Sequence, residues 1–386
     1  MPVSSVNRLS DQKRSVPIKI LYVALDMDLG GLQRIVHLLI EGLDRCRFEP
    51  VLCCFDRGGV FYDSLRAEGV TGSILHRSPG PFDAALLRNL IRYVRENRID
   101  VIHSQNACAL YAGLAGLLTG VPVIHTDHGR LVPDKQSAVW EDWLASHCLH
   151  AVVGVSEELT AYLNSHLGIS AKKLKTIING VDTDRFMPVT REQKNALRAK
   201  NGLTSDDLVL GTVCRFDPIK NLPFMISSMP EIVKRVPQAK LVLVGEGPIR
   251  QSLEEMIQAL DVTRHIAIWS RREDIEQVMP QFDVYVCTSL SEGTSMTILE
   301  AMACGLSVIA SSVGGNASLI GEGGKLFPSN DLTSYVSAGC ELLSNPNRRA
   351  MMGRLSRERA EQFFPLRRTI ESYQALYAQH LDQRSQ

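Results

Sequence analysis

The feature that most constrains the fold is an alternation of short apolar runs with amphipathic helical segments, which occurs twice along the chain. In the first half, strand-like runs occupy residues 18–24, 49–55, 101–103, 121–124 and 151–155. In the second half, they occupy residues 208–213, 240–245, 266–268, 284–287 and 308–310. Strands that alternate with helices form parallel βαβ units. The sequence therefore predicts an α/β protein with two doubly wound parallel sheets.

Turn-forming and polar segments give the predicted boundaries of the two units. Residues 1–16 are polar, and we expect a disordered tail there. We predict one Rossmann-like domain at 17–185 and a second at 186–365, with a linker at 190–206. The final segment, 366–386, is expected to form a helix that packs back toward the first domain. Two such domains that face each other across a cleft place ligands at the carboxyl ends of their strands.

Charge and cysteine content exclude several classes of protein. Of the 386 residues, 42 are Lys or Arg and 42 are Asp or Glu, so the net charge is zero. A nucleic-acid-binding protein normally has a basic excess, and we expect no nucleic-acid partner. The nine cysteines have no metal-binding spacing and indicate a reducing compartment. A redox pair at Cys53–Cys54 is disfavoured, because adjacent cysteines bridge only with strain.

The sequence predicts a soluble, cytoplasmic protein. We find no secretory signal, and no apolar run approaches the ~20 residues of a membrane span. The predicted helix at 83–98 leaves a peripheral contact with the inner face of the plasma membrane open, because an amphipathic helix with arginines can rest on anionic lipid. An ordinary surface helix is the alternative. The arginines are Arg88, Arg92, Arg95 and Arg98.

The segment from Ser291 to Gly305 carries the strongest indication of chemistry. It follows a buried strand, and a helix is predicted to begin near Thr294 or Ser295. The free N–H groups at a helix start favour an anion. Glu292 lies just before this helix start and Glu300 lies one to two turns into the helix. Two carboxylates around an anion site can hold hydroxyl groups on either side of a diphosphate.

A second basic segment follows the strand at 208–213. Arg215 and Lys220 lie five positions apart in the loop at the carboxyl end of that strand. A guanidinium offers a fork for two oxygens and an ammonium offers a point charge, so the two can converge on one diphosphate. Gly30 and Gly31 precede another predicted helix and suit close approach of the backbone to an anion. They lack the G-x-G-x-x-G spacing of a dinucleotide fold.

The segment from Glu292 to Glu300, with seven residues between the two, resembles the E-x7-E motif of retaining GT-B glycosyltransferases of family 4, also called glycosyl transferases group 1. The segments 301–305 and 314–316 are similar to that family as well, and the resemblance spans residues 18–380. The run 125–130 resembles a subgroup associated with bacterial exopolysaccharide assembly. The family has the Arg-x4-Lys pair, usually followed by Gly. Here Asn221 follows, a residue that tolerates the left-handed conformation.

The resemblance implies roles for individual residues. Glu292 would bind hydroxyl groups of the donor sugar, and Glu300 the ribose hydroxyl groups of the nucleotide. Arg215 and Lys220 would contact the diphosphate. The amides of a short run would contact the diphosphate and sugar, and that run is Gly293, Thr294, Ser295 and Met296.

Five further residues receive roles by the same resemblance. His128 would contact the donor sugar, a role for which we prefer it to His125. Gly30 and Gly31 would face the donor phosphates. Gly245 would lie near the nucleotide, although a structural turn explains it equally well. Arg271 would contact the base or a phosphate.

The implied activity is retaining transfer of a hexose from a UDP- or GDP-linked sugar to a glycan or lipid-linked glycan, in bacterial cell-surface polysaccharide synthesis. No cofactor is expected beyond the donor. Asp26 and Asp28 imitate the D-x-D metal motif of the other glycosyltransferase fold, GT-A. A metal is disfavoured because Arg215 and Lys220 supply the positive charge that a leaving diphosphate needs. Two alternatives stay open: a nucleotide-sugar epimerase of the same fold, and a catalytically silent partner that binds nucleotide sugars in an assembly complex.

Overall fold

The computed structural model describes residues 16–80, 82–129 and 136–382. Apart from Val16, the predicted disordered tail at 1–16 lies outside the described residues.

The first half of the chain forms a seven-stranded parallel sheet with the strand order β3-β2-β1-β4-β5-β6-β7. Its strands are β1 (Ile18–Ala24), β2 (Phe48–Cys54), β3 (Thr71–Ile74), β4 (Val101–Gln105), β5 (Val123–Asp127), β6 (Ala151–Gly154) and β7 (Leu174–Thr176). Its helices are α1 (Gly31–Glu41), α2 (Val60–Ala67), α3 (Ala84–Glu96), α4 (Ala109–Thr119), α5 (Gln136–Cys148) and α6 (Glu157–Ser165).

The second half forms a six-stranded parallel sheet with the order β10-β9-β8-β11-β12-β13. Its strands are β8 (Leu208–Val213), β9 (Ala239–Val244), β10 (Ile266–Trp269), β11 (Val284–Cys287), β12 (Ser307–Ser311) and β13 (Gly324–Phe327). The remaining helices are α7 (Arg191–Lys200), α8 (Leu222–Arg235), α9 (Arg250–Ala259), α10 (Ile275–Val278), α11 (Met296–Ala303), α12 (Asn316–Ile320), α13 (Leu332–Ser344), α14 (Pro346–Phe363) and α15 (Leu366–Asp382).

Both sheets confirm the predicted fold class of two doubly wound, Rossmann-like units. In each sheet the strand order reverses once: between β1 and β4 in the first sheet, and between β8 and β11 in the second. Ligands of such sheets bind in the crevice at this reversal point, beyond the carboxyl ends of the strands. The loops that leave β1, β4, β8 and β11 are therefore the ones to examine for a site.

The apolar core is continuous between the two halves. One cluster of buried side chains runs from Ile20 and Tyr22 in the first half to Leu299 in the second. The two cysteines of β2 lie on opposite faces of the sheet, because successive strand residues alternate. Cys54 belongs to the shared cluster and Cys53 to a separate one, and both are free thiols.

The structure corrects the prediction of a linker at 190–206, because helix α7 occupies much of this segment. Thr190 accepts from the backbone of Gln193, whose side chain bonds back to Thr190, so the helix begins with a capping box. The guanidinium of Arg198, 3% exposed, lies 2.7 Å from Asp283 and anchors α7 on the second half. The polar sequence that suggested a linker is thus a helix held by charged contacts.

Helix α15 follows α14 and packs on the first sheet. The hydroxyl of Tyr377 lies 3.1 Å from that of Tyr22 and 2.7 Å from Nδ1 of His103. The hydroxyl of Tyr373 lies 3.0 Å from Oγ1 of Thr126, which in turn lies 2.8 Å from Nε2 of His103. All of these side chains are buried, so a polar network inside the protein fixes α15 against β1, β4 and β5.

Candidate active site

A lysine and a glutamate meet at the carboxyl ends of β8 and β11. The ammonium of Lys220 donates to Oε1 of Glu292 at 2.6 Å, and the hydroxyl of Ser289 donates to the same oxygen at 2.6 Å. Thr288 holds the lysine segment by donating to the carbonyl of Lys220 at 2.9 Å. The next residue, Asn221, has φ of 53°, a left-handed conformation that Asn tolerates. The two sequence segments predicted to cooperate are thus in direct contact.

Lys220 keeps its positive charge in this position. Burial by itself would lower its pKa, but the carboxylate of Glu292 raises the pKa, and the net result is a pKa above the ordinary lysine value. A lysine that is fully protonated at neutral pH can stabilise negative charge that develops on a neighbouring phosphate.

The loop between Glu292 and helix α11 contacts the first half of the chain. The helix begins at Met296, with Ser295 as its cap, slightly later than the sequence predicted. A Cβ on Gly293 would lie 2.2 Å from the carbonyl oxygen of His128, so only glycine fits at this approach. Thr294 donates from its hydroxyl to the carbonyl of Val155 in the first half. Two of the residues predicted to bind the donor, Gly293 and Thr294, therefore also contact the first half of the chain.

The first turns of α1 and α11 face each other across the cleft. A Cβ on Gly31, the first residue of α1, would lie 3.9 Å from Cγ of Met296, the first residue of α11. Gly30 caps α1 in an extended conformation and makes no side-chain cap. Two helix N-termini that lie close together bring positive potential and free N–H donors to this part of the molecule. This arrangement suits an anionic group between them.

Glu300 lies inside the interface. Its side chain is 2% exposed, and Oε1 lies 2.8 Å from Nε of Arg34 on α1. Burial raises the pKa of Glu300, whereas the guanidinium groups of Arg34 and Arg185 lower it. The residue predicted to bind ribose is therefore paired with the opposite half.

His128 is neutral, and one of its ring nitrogens is a buried acceptor. Its backbone N–H donates to Oδ1 of Asn106, and its Nε2 lies 2.8 Å from Oε1 of Gln105. Burial lowers the pKa of His128 to about 3. With the carbonyl oxygen of Gln105 as acceptor, Nε2 carries the proton and Nδ1 is an acceptor that has no partner among the described residues. Nδ1 can therefore accept a hydrogen bond from a hydroxyl group.

Three predicted residues lie outside this cluster. The side chain of Arg215 is 72% exposed, and its nearest acid is Asp217 at 3.9 Å. Arg271 donates to Oδ1 of Asp28 at 2.8 Å, from the end of β10 to the loop after β1. Gly245 has φ of 148°, and a Cβ there would lie 1.9 Å from the carbonyl of Cys214, so packing alone accounts for this glycine.

The two aspartates after β1 have protein partners. Oδ1 of Asp26 accepts from the side chain of Gln33 at 3.0 Å and from the backbone of Asp28 at 3.1 Å. The hydrogen bond from Arg271 lowers the pKa of Asp28. In the described part of the chain, neither aspartate belongs to a group of three side chains close enough to share a metal ion.

Comparison with known proteins assigns the family. Residues 29–185 match the model "Glycosyltransferase Family 4", and residues 193–359 match "Glycosyl transferases group 1". The chain belongs to the family 4 glycosyltransferases. It is an enzyme of this family, and its two facing sheets are the GT-B fold.

Relatives and solved structures agree with this assignment. The family 4 enzyme is 28% identical over 338 residues, 83% of the chain and 87% of the relative, to the Escherichia coli UDP-Gal:alpha-D-GlcNAc-diphosphoundecaprenol alpha-1,3-galactosyltransferase. It is 28% identical over 305 residues, 73% of the chain and 76% of the relative, to a Corynebacterium glutamicum GDP-mannose-dependent monoacylated alpha-(1-6)-phosphatidylinositol monomannoside mannosyltransferase. The crystal structure of Anabaena Alr3699/HepE in complex with UDP and glucose shares the fold, with a TM-score of 0.85 at 21% identity over 94% of this chain and 100% of that one.

Reasoning from the sequence missed three residues of this candidate site. Arg34 was not singled out, although it lies one turn after the Gly-Gly pair. Ser289, three residues before Glu292, and Gln105, at the end of β4, were also overlooked. Each lies at or just beyond the carboxyl end of a buried strand, or in the first turn of a helix that begins there, and this position could have identified them.

Proposed function

We propose that this glycosyltransferase moves a hexose, with retention of configuration, from a UDP- or GDP-linked sugar to a glycan or lipid-linked glycan. We further propose that it works in bacterial cell-surface polysaccharide synthesis. The observation that carries the proposal is the contact of Lys220 with Glu292 beside the start of α11, in the crevice that the first turn of α1 closes. The printed activities of the relatives support it, since they include a UDP-galactose-dependent and a GDP-mannose-dependent enzyme.

Under this proposal the second half binds the nucleotide and diphosphate. Lys220, with Arg215 entering from the same loop, would neutralise the diphosphate as it leaves. The N–H groups at the start of α11 would add to this stabilisation. The exposed guanidinium of Arg215 has the freedom to swing toward a phosphate that Lys220 already contacts. The site would then need no metal ion to support the leaving group.

The donor sugar would lie between Glu292 and His128. One oxygen of Glu292 is bound by Lys220 and Ser289, so this carboxylate suits hydrogen bonds from sugar hydroxyl groups better than nucleophilic attack. The open Nδ1 of His128 can accept a further hydroxyl group. Because the carboxylate of Glu292 is held in this way, the proposal follows same-face attack by the acceptor hydroxyl. A phosphate oxygen of the departing diphosphate then takes the acceptor's proton.

Calorimetric titration with UDP and with GDP, in the presence of EDTA, tests the nucleotide part of the proposal. We expect one of the two to bind, and Glu300→Ala to weaken that binding by roughly tenfold or more, because hydrogen bonds to a charged group are lost. Glu322→Ala, a change of an exposed glutamate, serves as the matched control. Binding of neither nucleotide would contradict the proposal and favour a silent partner.

Product analysis tests the reaction itself. Nuclear magnetic resonance of the product gives the anomeric configuration, and a product with the donor's configuration is expected. An inverted product would contradict retention. Conversion of the nucleotide sugar to its 2-epimer without any transfer would replace the proposal with an epimerase.

We also propose that the first half rests on the inner face of the plasma membrane, with the enzyme in the cytoplasm. Among the described residues, no helix is both long and apolar enough to cross a bilayer. Arg95 of α3 donates to the carbonyl of Leu118 at 3.2 Å, and Leu117 and Leu118 at the end of α4 are 66% and 55% exposed. Trp140 on the neighbouring helix α5 is 67% exposed. Basic and apolar side chains on one face suit an anionic lipid surface.

Flotation with vesicles that contain anionic lipid tests the membrane contact. We expect the wild type to bind, and the double change Arg92→Gln with Arg95→Gln to reduce the bound fraction. A matched double change of exposed arginines on α15, Arg367→Gln with Arg368→Gln, should leave it unchanged. Equal binding of both variants, or binding to neutral vesicles alone, would contradict the proposed face.

A further inference from the structure

Arg34 and Glu300 form an ion pair that joins the two halves. Arg34 lies on α1 of the first half and Glu300 on α11 of the second, with Nε and Oε1 2.8 Å apart. The side chains are 15% and 2% exposed, so the pair is removed from solvent. Breaking a buried ion pair by removing one partner leaves an uncompensated charge, which makes such a pair sensitive to mutation.

The structure holds the guanidinium of Arg34 from a second side. Its central carbon lies 5.3 Å from the centre of the Phe186 ring, and Phe186 is 2% exposed. A cation over an aromatic face is attracted to it, more strongly when both are removed from water. Arg34 is therefore fixed between an aromatic ring and a carboxylate rather than free to follow a ligand.

The contact leaves hydrogen-bonding capacity on Glu300. Although the two atoms are close, they are not aligned as a hydrogen bond, and within the described ranges Oε1 of Glu300 has no hydrogen-bond donor. An ionised carboxylate has about four acceptor positions on its two oxygens. The guanidinium of Arg34 therefore neutralises the carboxylate without taking all of its acceptor positions.

We propose that Arg34 is a positioning residue for the nucleotide site: it holds the carboxylate of Glu300 from one side and leaves its acceptor positions to the ribose hydroxyl groups. The inference rests on the proposed binding of a nucleoside diphosphate. It adds that the ribose site is shared between the halves, because α1 supplies the charge that keeps the glutamate of α11 in place. The nucleotide site is complete only when the cleft is closed.

The charges around Glu300 favour this role. Burial raises the pKa of Glu300, and the nearby carboxylate of Glu276 raises it further, whereas Arg34 and Arg185 lower it. Arg185 lies 3.0 Å from Glu276 and so is partly neutralised. Cys304, one turn along α11, stays a neutral thiol because burial raises its pKa. Loss of Arg34 would therefore shift Glu300 toward its protonated form as the pH falls.

The test is calorimetry of the full chain with UDP and GDP at about pH 6 and about pH 8.5. The variants are Arg34→Met, Arg34→Lys and Glu300→Gln, with Arg88→Met as an exposed control. We expect Arg34→Met to lose roughly tenfold in affinity at about pH 6 and to recover part of it at about pH 8.5. Arg34→Lys should lie closer to the wild type, and Glu300→Gln should be weak at both values. The change in wild-type affinity between the two pH values serves as the reference, because it includes the effect of titration of the nucleotide itself.

A double-mutant comparison separates positioning from a general loss of structure. In the Glu300→Gln background, Arg34→Met and Arg34→Lys should cause no further loss of nucleotide affinity. An Arg34→Met variant that matches the wild type, or that loses the same factor at both pH values and in both backgrounds, would overturn the inference. If Arg34→Met does not fold, Arg34→Gln, which also removes the charge, carries the same comparison. If the wild type binds neither nucleotide, both the proposed function and the inference fail. If the wild type binds and the Arg34→Met variant binds equally well, only the inference fails.

Discussion

The ammonium nitrogen of Lys220 lies 2.6 Å from Oε1 of Glu292, an oxygen that also accepts from Ser289. Replacing Lys220 by Met removes the positive charge from the crevice and leaves Glu292 with the hydroxyl of Ser289 and the thiol of Cys287 as donors. We expect the transfer rate to fall by roughly 10²-fold or more, the usual effect of losing one charge-stabilising donor. Release of the nucleoside diphosphate measures the rate. The exposed Lys175→Met is the matched control. A rate for Lys220→Met equal to that of the control would remove Lys220 from the site.

The low pKa of His128 predicts that its ring does not titrate near neutral pH. Burial lowers this pKa to about 3, whereas an unfolded histidine titrates near ~6.5. The folded state therefore binds this proton less readily, and stability from neutral His128 is lost as the pH falls from about 6.5 toward about 3. We expect no titration of the His128 ring between about pH 6 and 7 in a nuclear magnetic resonance experiment, with assignment by His128→Gln. A midpoint in that interval would show an imidazole that is open to water.

The central strands were predictable and most edge strands were not. Strands β1, β2, β8 and β9 are buried on both faces, so their sequences are continuous apolar runs. The missed strands β3, β7 and β13 each lie at an edge of a sheet and are largely half-exposed. A short half-exposed strand has neither an apolar run nor enough length to show alternation.

The site was predictable where it is local in sequence. Glu292, Gly293 and the start of α11 lie in one segment, and the Lys220 loop follows one strand, so motif and position sufficed. The pairs Arg34–Glu300 and Asp28–Arg271 were not predictable. Each joins a residue of the first half to one of the second, and periodicity does not state which helix of one domain meets which helix of the other.

The pair Asp28–Arg271 predicts a weak electrostatic contribution to closure. The two side chains are 31% and 40% exposed, and exposed ion pairs contribute only about 0.2–1 kcal/mol. We expect Asp28→Asn to shift the enzyme modestly toward an open form, seen as a larger radius of gyration in X-ray scattering. Added salt should produce the same shift in the wild type and less in the variant. Equal salt responses of the two proteins would show that this pair does not bias closure.

The polar network under α15 predicts a stability difference between two tyrosines. Tyr377→Phe leaves the hydroxyl of Tyr22 and Nδ1 of His103 without their shared partner, and a buried unsatisfied group costs about 1–3 kcal/mol. The hydroxyl of Tyr93 is buried and has no partner among the described residues, so Tyr93→Phe loses no hydrogen bond. We expect calorimetric unfolding at a lower temperature for Tyr377→Phe and an unchanged or slightly higher one for Tyr93→Phe. Equal losses in the two variants would mean that the network does not hold α15 on the first sheet.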